Sequence, residues 1–290
     1  MTLELNSPCK VNLLLNILGR RADGFHELET LMHPVKVCDR LSFALGGQGI
    51  QLTCSTPGLP TDSRNLVHRA AATFLEKANI REGIRIHLEK RIPLAAGLGG
   101  GSGNAATTLS ALNRMFGGPL TGPQLHDLAA SLGSDIPFFL QSNPALATGR
   151  GEIVQPLDPF PALQNAGLLL IHPGFGIETA WAYRQLARFP DALNGKPGQA
   201  ARLISLLRTS DLATAGREFY NSLEAPALEK FPLLALFQEF FREQGAAATL
   251  MSGSGSSTFA FTGTPGAAEE LAEAFKLKFG GAYWLATVPV

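Results

Sequence analysis

The sequence predicts an α+β fold in two domains, residues 1–156 and 157–290, and three observations carry that expectation. Strand-like and helix-like stretches follow one another without the regular alternation of a doubly wound parallel sheet. The 290 residues, 45% of them hydrophobic, suffice for two cores at a usual domain size of about 150 residues. A composition shift at residues 142–162, where Asn143, Pro144, Gly149, Gly151, Pro156, Pro159 and Pro161 accumulate between apolar regions, reads as a hinge.

The individual elements follow from local pattern. Ile84, Ile86 and Leu88 alternate with Arg85, His87 and Glu89, the period of a strand with one buried face, and Pro93 marks where it has stopped. Further on, Ala105, Leu109, Leu112 and Phe116 recur at helical spacing before Gly117 and Gly118, which predicts a helix over 102–116. Thr121, Pro123 and Gln124 fit a capping box with proline in the first turn, opening a helix that ends at Gly133. Asp135 lies just beyond that end. In the second half, residues 168–172 read as a strand and residues 178–188 and 199–216 as helices, with a surface loop over 191–199. Two strands, 246–251 and 258–261, flank a Gly/Ser turn, and a helix near 265–277 and a strand near 283–288 close the chain.

Composition narrows the function. With 24 Lys+Arg against 24 Asp+Glu, the chain lacks the charge for a broad grip on nucleic acid or an anionic membrane face. Apolar stretches such as 11–15 and 167–171 fall far short of the roughly 20 residues that span a bilayer. The first residues carry no basic stretch followed by an apolar core, so no secretory signal is expected and the protein is placed in the cytoplasm. Cys9, Cys38 and Cys54 are odd in number and lack C-x-x-C spacing, which argues against a disulfide framework or a zinc site and for small apolar filler.

The segment with most chemistry is Pro93-Leu94-Ala95-Ala96-Gly97-Leu98-Gly99-Gly100-Gly101-Ser102-Gly103-Asn104, with five glycines in seven residues. Directly before a helix, such a run exposes backbone N–H groups, and the helix N-terminus adds about half a positive charge pointing the same way, so a phosphate is expected there. It is not a Walker A loop, because no lysine follows the glycines. It is not a dinucleotide fingerprint either, since counting from Gly97 ends on Ser102 and from Gly99 on Asn104. The G-x-S-x-G elbow fails at Asn104.

This segment closely resembles the phosphate loop of the GHMP kinases. Ser7-Pro8-Cys9-Lys10-Val11-Asn12-Leu13 and residues 251–260, Met-Ser-Gly-Ser-Gly-Ser-Ser-Thr-Phe-Ala, resemble the same superfamily's N-terminal segment and its C-terminal glycine-rich turn. Residues 19–28 with Asp23-Gly24-Phe25-His26, residues 132–139 around Asp135, and His172-Pro173-Gly174 are similar to those members that act on a cytidine-diphosphate-linked methylerythritol. The resemblance implies an N-terminal ribosomal-protein-S5-like domain and a C-terminal ferredoxin-like domain. It also implies phosphorylation of a substrate hydroxyl by ATP with Mg2+, in the non-mevalonate route to isoprenoid precursors.

Roles follow residue by residue from that resemblance. Asp135 would be the catalytic carboxylate, as base or as orienting group, and Lys10 would stabilise the developing alkoxide and the transferring phosphoryl charge. Residues 93–103 would hold the ATP phosphates, with Ser102 a candidate contact to phosphate or magnesium. Asn65, Leu66 and Lys90 match positions around the adenosine. Phe25 and His26 would form one wall for the cytosine and Tyr183 the opposing aromatic, while Asn12 and Thr179 would be polar substrate contacts. Whether the chain is a monomer or a homodimer is left open.

Local pattern alone allows plainer roles: Asp135 as the cap of a following short helix, Phe25 and His26 as a loop pair, and Tyr183 as a core edge. Another small-molecule GHMP kinase, for homoserine or a mevalonate derivative, and a non-catalytic regulator on the same fold are the competing functions. The chain also departs from the pattern it resembles. Gly103 stands where a second serine is usual, which removes a hydroxyl from the phosphate loop. Phe25 stands where tyrosine is common, and Ser252 and Ser254 where threonine is.

Overall fold

The computed structural model describes residues 2–290, and two compact units divide them. The first comprises the chain up to Cys9, Val37–Ile92 and Gly99–Ser142; the second comprises Lys10–Lys36, Pro93–Leu98 and Asn143–Val290. The units are therefore discontinuous in sequence and do not follow a single division at residue 156. The physical reason is two long strands, β1 (Thr2–Arg20) and β2 (His26–Leu45), each of which contributes residues to both units.

In the first unit, β3 (Ile50–Cys54) and β4 (Ile84–Glu89) frame α1 (Leu66–Lys77) in sequence. The distal half of β2 pairs antiparallel with β4 from Arg40↔Glu89 to Leu45↔Ile84, and β3 pairs parallel with β4. Ile84, Ile86 and Leu88 face inward, as the alternation requires. They meet α1, α2 (Gly100–Met115) and α3 (Gly122–Leu132) in a core that includes Phe43, Phe74, Leu109 and Leu112. Gly100 and Gly101, poor helix formers by propensity, lie inside α2, two residues ahead of the expected start. Gly99, at φ 69°, turns the chain into the helix there. The capping box of α3 forms as the sequence indicates, with Gln124 Oε1 accepting from the Thr121 backbone N–H at 2.9 Å.

In the second unit, the region read as a hinge begins at a unit boundary, after Ser142. Its middle is ordered: β5 (Ala145–Thr148) and β6 (Ile153–Pro156) form a hairpin, and β5 pairs with the proximal half of β2. Then come β7 (Gly167–His172), α4 (Thr179–Gln185), α5 (Pro190–Leu193), α6 (Gln199–Thr209), α7 (Leu212–Gly216) and β8 (Tyr220–Asn221). The chain ends with α8 (Glu224–Lys230), α9 (Pro232–Glu243), β9 (Ala248–Met251), β10 (Thr258–Thr262), α10 (Pro265–Phe279) and β11 (Trp284–Pro289). The last sheet is antiparallel in the order β11-β7-β10-β9, and α9 and α10 cover one face through Phe237, Phe241 and Phe275.

Two loop expectations change. The helix expected over 199–216 is broken at Asp211, whose carboxylate caps α7 by accepting from Thr214 N–H at 2.7 Å. Residues 191–199, expected to be a surface loop, begin within α5 and then attach to β1. Gly195 N–H donates to Ile17 O at 2.8 Å, and Asn16 Nδ2 donates to Lys196 O at 2.9 Å. No helix among the described residues is long and apolar enough to cross a membrane.

His33 on β2 is buried, its Nδ1 has no hydrogen-bond partner, and burial pushes its pKa down to about 4. Between that value and the ordinary 6.5 the unfolded chain binds a proton that the folded chain refuses, so stability falls as pH drops through this window. The loss should reach roughly 3 kcal/mol near pH 4. Thermal unfolding of His33→Leu between pH 7 and 4.5 should show a shallower acid dependence than the native chain; identical slopes would show that His33 is not responsible.

Candidate active site

In the second unit the site is built around Lys10. Its strand alternation places Lys10 and Asn12 on one face, and both are almost fully buried. Lys10 Nζ donates to Asn12 Oδ1 at 2.6 Å and to Gly97 O at 2.9 Å, while its backbone N–H donates to Leu98 O at 3.0 Å. Asn12 is oriented in turn, because its Nδ2 donates to Thr30 Oγ1 at 2.8 Å and Thr30 Oγ1 donates to Leu14 O at 2.6 Å. The oxygens of Asn12 and Gly97 thus help to fix the direction of the ammonium.

The glycine segment is held from its other side by the turn after β9. Gly97, at φ 75°, approaches it so closely that an added Cβ would lie 2.0 Å from Ser252 O. Ser252 Oγ donates to Gly97 O at 3.0 Å, and Ser257 N–H donates to Ala96 O at 3.1 Å. Gly97 O thus accepts from both Lys10 and Ser252. Asn221 braces the turn, its Nδ2 donating to Met251 O and Gly253 O at 2.8 Å each. Sequence reading placed Ser252 in a glycine-rich motif but gave it no bond, and it missed Asn221, for which no local signal exists.

In the first unit the segment continues as the start of α2. The N–H groups of Gly100, Gly101 and Ser102 precede the first i→i−4 bond, from Gly103 N–H to Gly99 O at 2.8 Å, and no side chain caps this end. Those are the donors a phosphate would use. Leu66, the first residue of α1, lies beside Gly101, 3.6 Å from where a Cβ would be. Gly103 is buried inside α2, and a Cβ there would lie 2.6 Å from Pro8 O. The missing hydroxyl at this position accordingly permits close helix–strand packing.

Two side chains expected around the adenosine are engaged inside the fold. Asn65 caps α1, with Oδ1 accepting from Val67 N–H at 2.9 Å and Nδ2 donating to Pro60 O at 2.7 Å. Lys90 forms a buried ion pair with Asp39. Asp135, half-buried, follows α3 in the same unit. The short 3-10 helix after it, Pro137–Leu140, has Ile136 at its N-cap, so Asp135 stands one residue ahead of that cap.

The aromatic residues belong to the second unit. The tip between β1 and β2 closes through Arg21 N–H to Phe25 O at 2.8 Å, and Asp23 Oδ1 accepts from Phe25 N–H at 3.1 Å. Phe25 is 52% exposed, large for an apolar ring, and the Arg150 guanidinium lies 4.7 Å from its centroid. Arg150 lies in the stretch 142–162, where the sequence indicates a hinge and no contact for this side chain. His26 and Tyr183 are in ring contact, centroids 5.0 Å apart and planes 39° from parallel. In this conformation they form one continuous aromatic surface, with no gap between them for a base. Burial, and secondly the charge of Arg20, lowers the His26 pKa and favours the neutral ring. Thr179 and Tyr183 are one turn apart on α4, and Thr179 Oγ1 lies 2.9 Å from Ser254 Oγ.

Comparison with known proteins identifies the family. Residues 65–143 match the family described as the GHMP kinases N terminal domain, and residues 203–281 match GHMP kinases C terminal. The chain is 38% identical to 4-diphosphocytidyl-2-C-methyl-D-erythritol kinase of Pelotomaculum thermopropionicum over 277 residues, 95% of this chain and 94% of that protein. It is 39% identical to the Heliobacterium modesticaldum kinase of the same name, over 96% of this chain and 92% of that one. A crystal structure of 4-(cytidine 5'-diphospho)-2C-methyl-D-erythritol kinase superposes with a TM-score of 0.79 at 35% identity, covering 99% of this chain and 100% of that one. Homoserine kinase from Cytophaga hutchinsonii, at 21% identity and a TM-score of 0.73 over 99% and 93% of the two chains, shares the fold. The Lys10 strand, the glycine segment that opens α2 and the glycine turn that grips it are thus the parts of a GHMP kinase, and the chain belongs to that superfamily, in the family of the 4-diphosphocytidyl-2-C-methyl-D-erythritol kinases.

Proposed function

We propose that the chain transfers the γ-phosphoryl group of ATP to a hydroxyl of 4-diphosphocytidyl-2-C-methyl-D-erythritol, a step of the non-mevalonate route to isoprenoid precursors. One observation in particular supports this reading: a buried lysine whose ammonium is locked against the carbonyl of Gly97 at the head of a glycine segment. Phosphoryl transfer asks a protein mainly for positioning and for charge stabilisation. Relatives at 38–39% identity carry that substrate in their names, whereas the homoserine kinase likeness, at 21%, extends to the fold alone.

Each residue then has a task. The free N–H groups of Gly100, Gly101 and Ser102 bind phosphate oxygens, and Lys10 Nζ stabilises charge on the transferring group. Asp135 aligns the acceptor hydroxyl and takes its proton as that oxygen bonds to the γ-phosphorus and the bond to the ADP oxygen breaks. Leu66 and the backbone at Asn65 and Lys90 border the adenosine, since the Asn65 and Lys90 side chains are already engaged. Asn12 and Thr179 contact the acceptor, and the surface of His26 and Tyr183, together with Phe25, takes the cytosine ring by stacking.

A magnesium ion bound with ATP would neutralise phosphate charge. Such an ion keeps most of its ligands as phosphate oxygens and water. No cluster of three or more His, Cys, Asp or Glu side chains suited to a metal occurs among the described residues, so Ser102 in the first turn of α2 is the protein oxygen we assign to it. With Cys9, Cys38 and Cys54 outside any disulfide, the reading carries a reducing, cytoplasmic setting.

Three tests follow from these assignments. Asp135→Asn should keep the fold and lower turnover by about 100-fold or more, the contribution of general-base help, and Lys10→Ala should likewise act on turnover. Near-native rates in folded, purified variants would remove either residue from the mechanism. Tyr183→Ala should raise the acceptor KM roughly 5- to 150-fold with little change in ATP KM, and CDP should compete with the acceptor far less in the variant. Equal damage to both substrates would refute the cytidine surface. Gly97→Ala should lose most activity, because the methyl group would collide with Ser252 O in a conformation that disfavours side chains; full activity in a soluble Gly97→Ala protein would mean that this contact is dispensable.

A further inference from the structure

In the first unit, the carboxylate of Asp39 on β2, which has no role in the reading above, is fully buried and collects four donors. Oδ1 accepts from the backbone N–H groups of Arg91 and Ile92 at 2.7 and 2.9 Å. Oδ2 accepts from Asn104 Nδ2 at 2.9 Å and from Lys90 Nζ. Asn104, also buried, receives a longer bond from Lys90 Nζ at 3.3 Å and donates to Ser7 Oγ at 2.9 Å.

The placement of these partners is specific. Ile92 is the last residue before the glycine segment and Asn104 the first after it, so one carboxylate fastens both ends of residues 93–103. Lys90 adds a steric component, because a Cβ on Gly100 would lie 3.3 Å from Lys90 Nζ and 3.1 Å from Ile92 Cγ2. A buried ion pair is a weak source of stability compared with apolar residues of similar volume. Its directional bonds, however, define geometry. A segment with five glycines has wide backbone freedom, and fixing its ends narrows the conformations it samples. Donors already aimed where a phosphate will sit bind it without the cost of ordering them.

We propose that Asp39 is a positioning residue for ATP: through Asn104 and the Arg91 and Ile92 amides it sets the shape of the phosphate segment. The inference rests on the reading that residues 93–103 take the ATP phosphates. Asp39→Asn would leave an acceptor for the two backbone amides but turn an NH2 group toward Lys90 Nζ and Asn104 Nδ2, donor against donor. Asn104→Leu would keep the Asp39–Lys90 pair and both backbone amides, and would cut the tie to α2 together with the Asn104 bonds to Lys90 and Ser7.

Calorimetric titration of the intact protein with a non-hydrolysable ATP analogue and, separately, with CDP tests the proposal. Both variants should bind the analogue about 10- to 100-fold more weakly, the factor that one charge-assisted hydrogen bond is worth, and bind CDP within about twofold of native. If Asp39→Asn does not fold, Asn104→Leu alone decides. Unchanged analogue affinity with only a lowered unfolding temperature would make the network purely structural and overturn the proposal, as would equal weakening toward both ligands. A native chain that binds no analogue overturns it together with the phosphate-segment reading. A native chain that binds the analogue but not CDP refutes the cytidine acceptor, while the analogue titration still decides the role of Asp39.

Discussion

The contact on which the site depends is the approach of the Gly97 backbone to Ser252 O, a distance that leaves no room for any side chain. It is steric in origin and polar in consequence. Once the two backbones touch, Gly97 O accepts from Ser252 Oγ on one side and Lys10 Nζ on the other, and Ala96 O accepts from Ser257 N–H. A flexible glycine run thereby becomes a defined surface. Asn12 and Gly97 hold the lysine in one orientation; in the proposed reaction such preorganisation is the main electrostatic means of lowering the transfer barrier.

The same logic organises the surface proposed for the acceptor, with different chemistry. Thr179, at the start of α4, meets Ser254 of the glycine turn, and Tyr183, one turn later, meets His26. The turn that grips the glycine segment thus also touches the helix that carries the aromatic surface. The neutral state favoured for His26 suits the stacking role proposed for it. Phe25 is half exposed, with Arg150 over one face of its ring.

How much of this was legible follows from how local each signal is. The strand at 84–89 announced itself by alternation, and the helix that starts at Gly122 by a capping box, because both patterns are complete within one element. The long strands β1 and β2 were not read as strands. Residues 11–16 and 28–33 are buried without alternation, and a strand covered on both faces loses its period-two signature. The cap at Asn65 and the pair Lys90–Asp39 illustrate the opposite case. Both residues match a nucleotide site by position, yet their side chains are engaged within the protein, which only their partners reveal.

By itself the sequence determined the α+β class, the expectation of an anion at residues 93–104, and a family resemblance specific enough to name Lys10, Asp135, Phe25, His26 and Tyr183 as candidates. These are properties of residue type and short spacing, which a linear pattern preserves. Tertiary structure alone decided that the units are discontinuous, that Gly103 is a packing glycine, that His26 and Tyr183 touch, that Asn221 and Ser252 brace the turn and glycine segment, and that Asp39 bonds to residues flanking that segment. Those facts rest on contacts between residues far apart in sequence, 87 positions for Lys10 and Gly97 and 155 for Gly97 and Ser252. No periodicity or motif in one chain encodes such a pairing; it exists only once the two backbones have packed close enough for it.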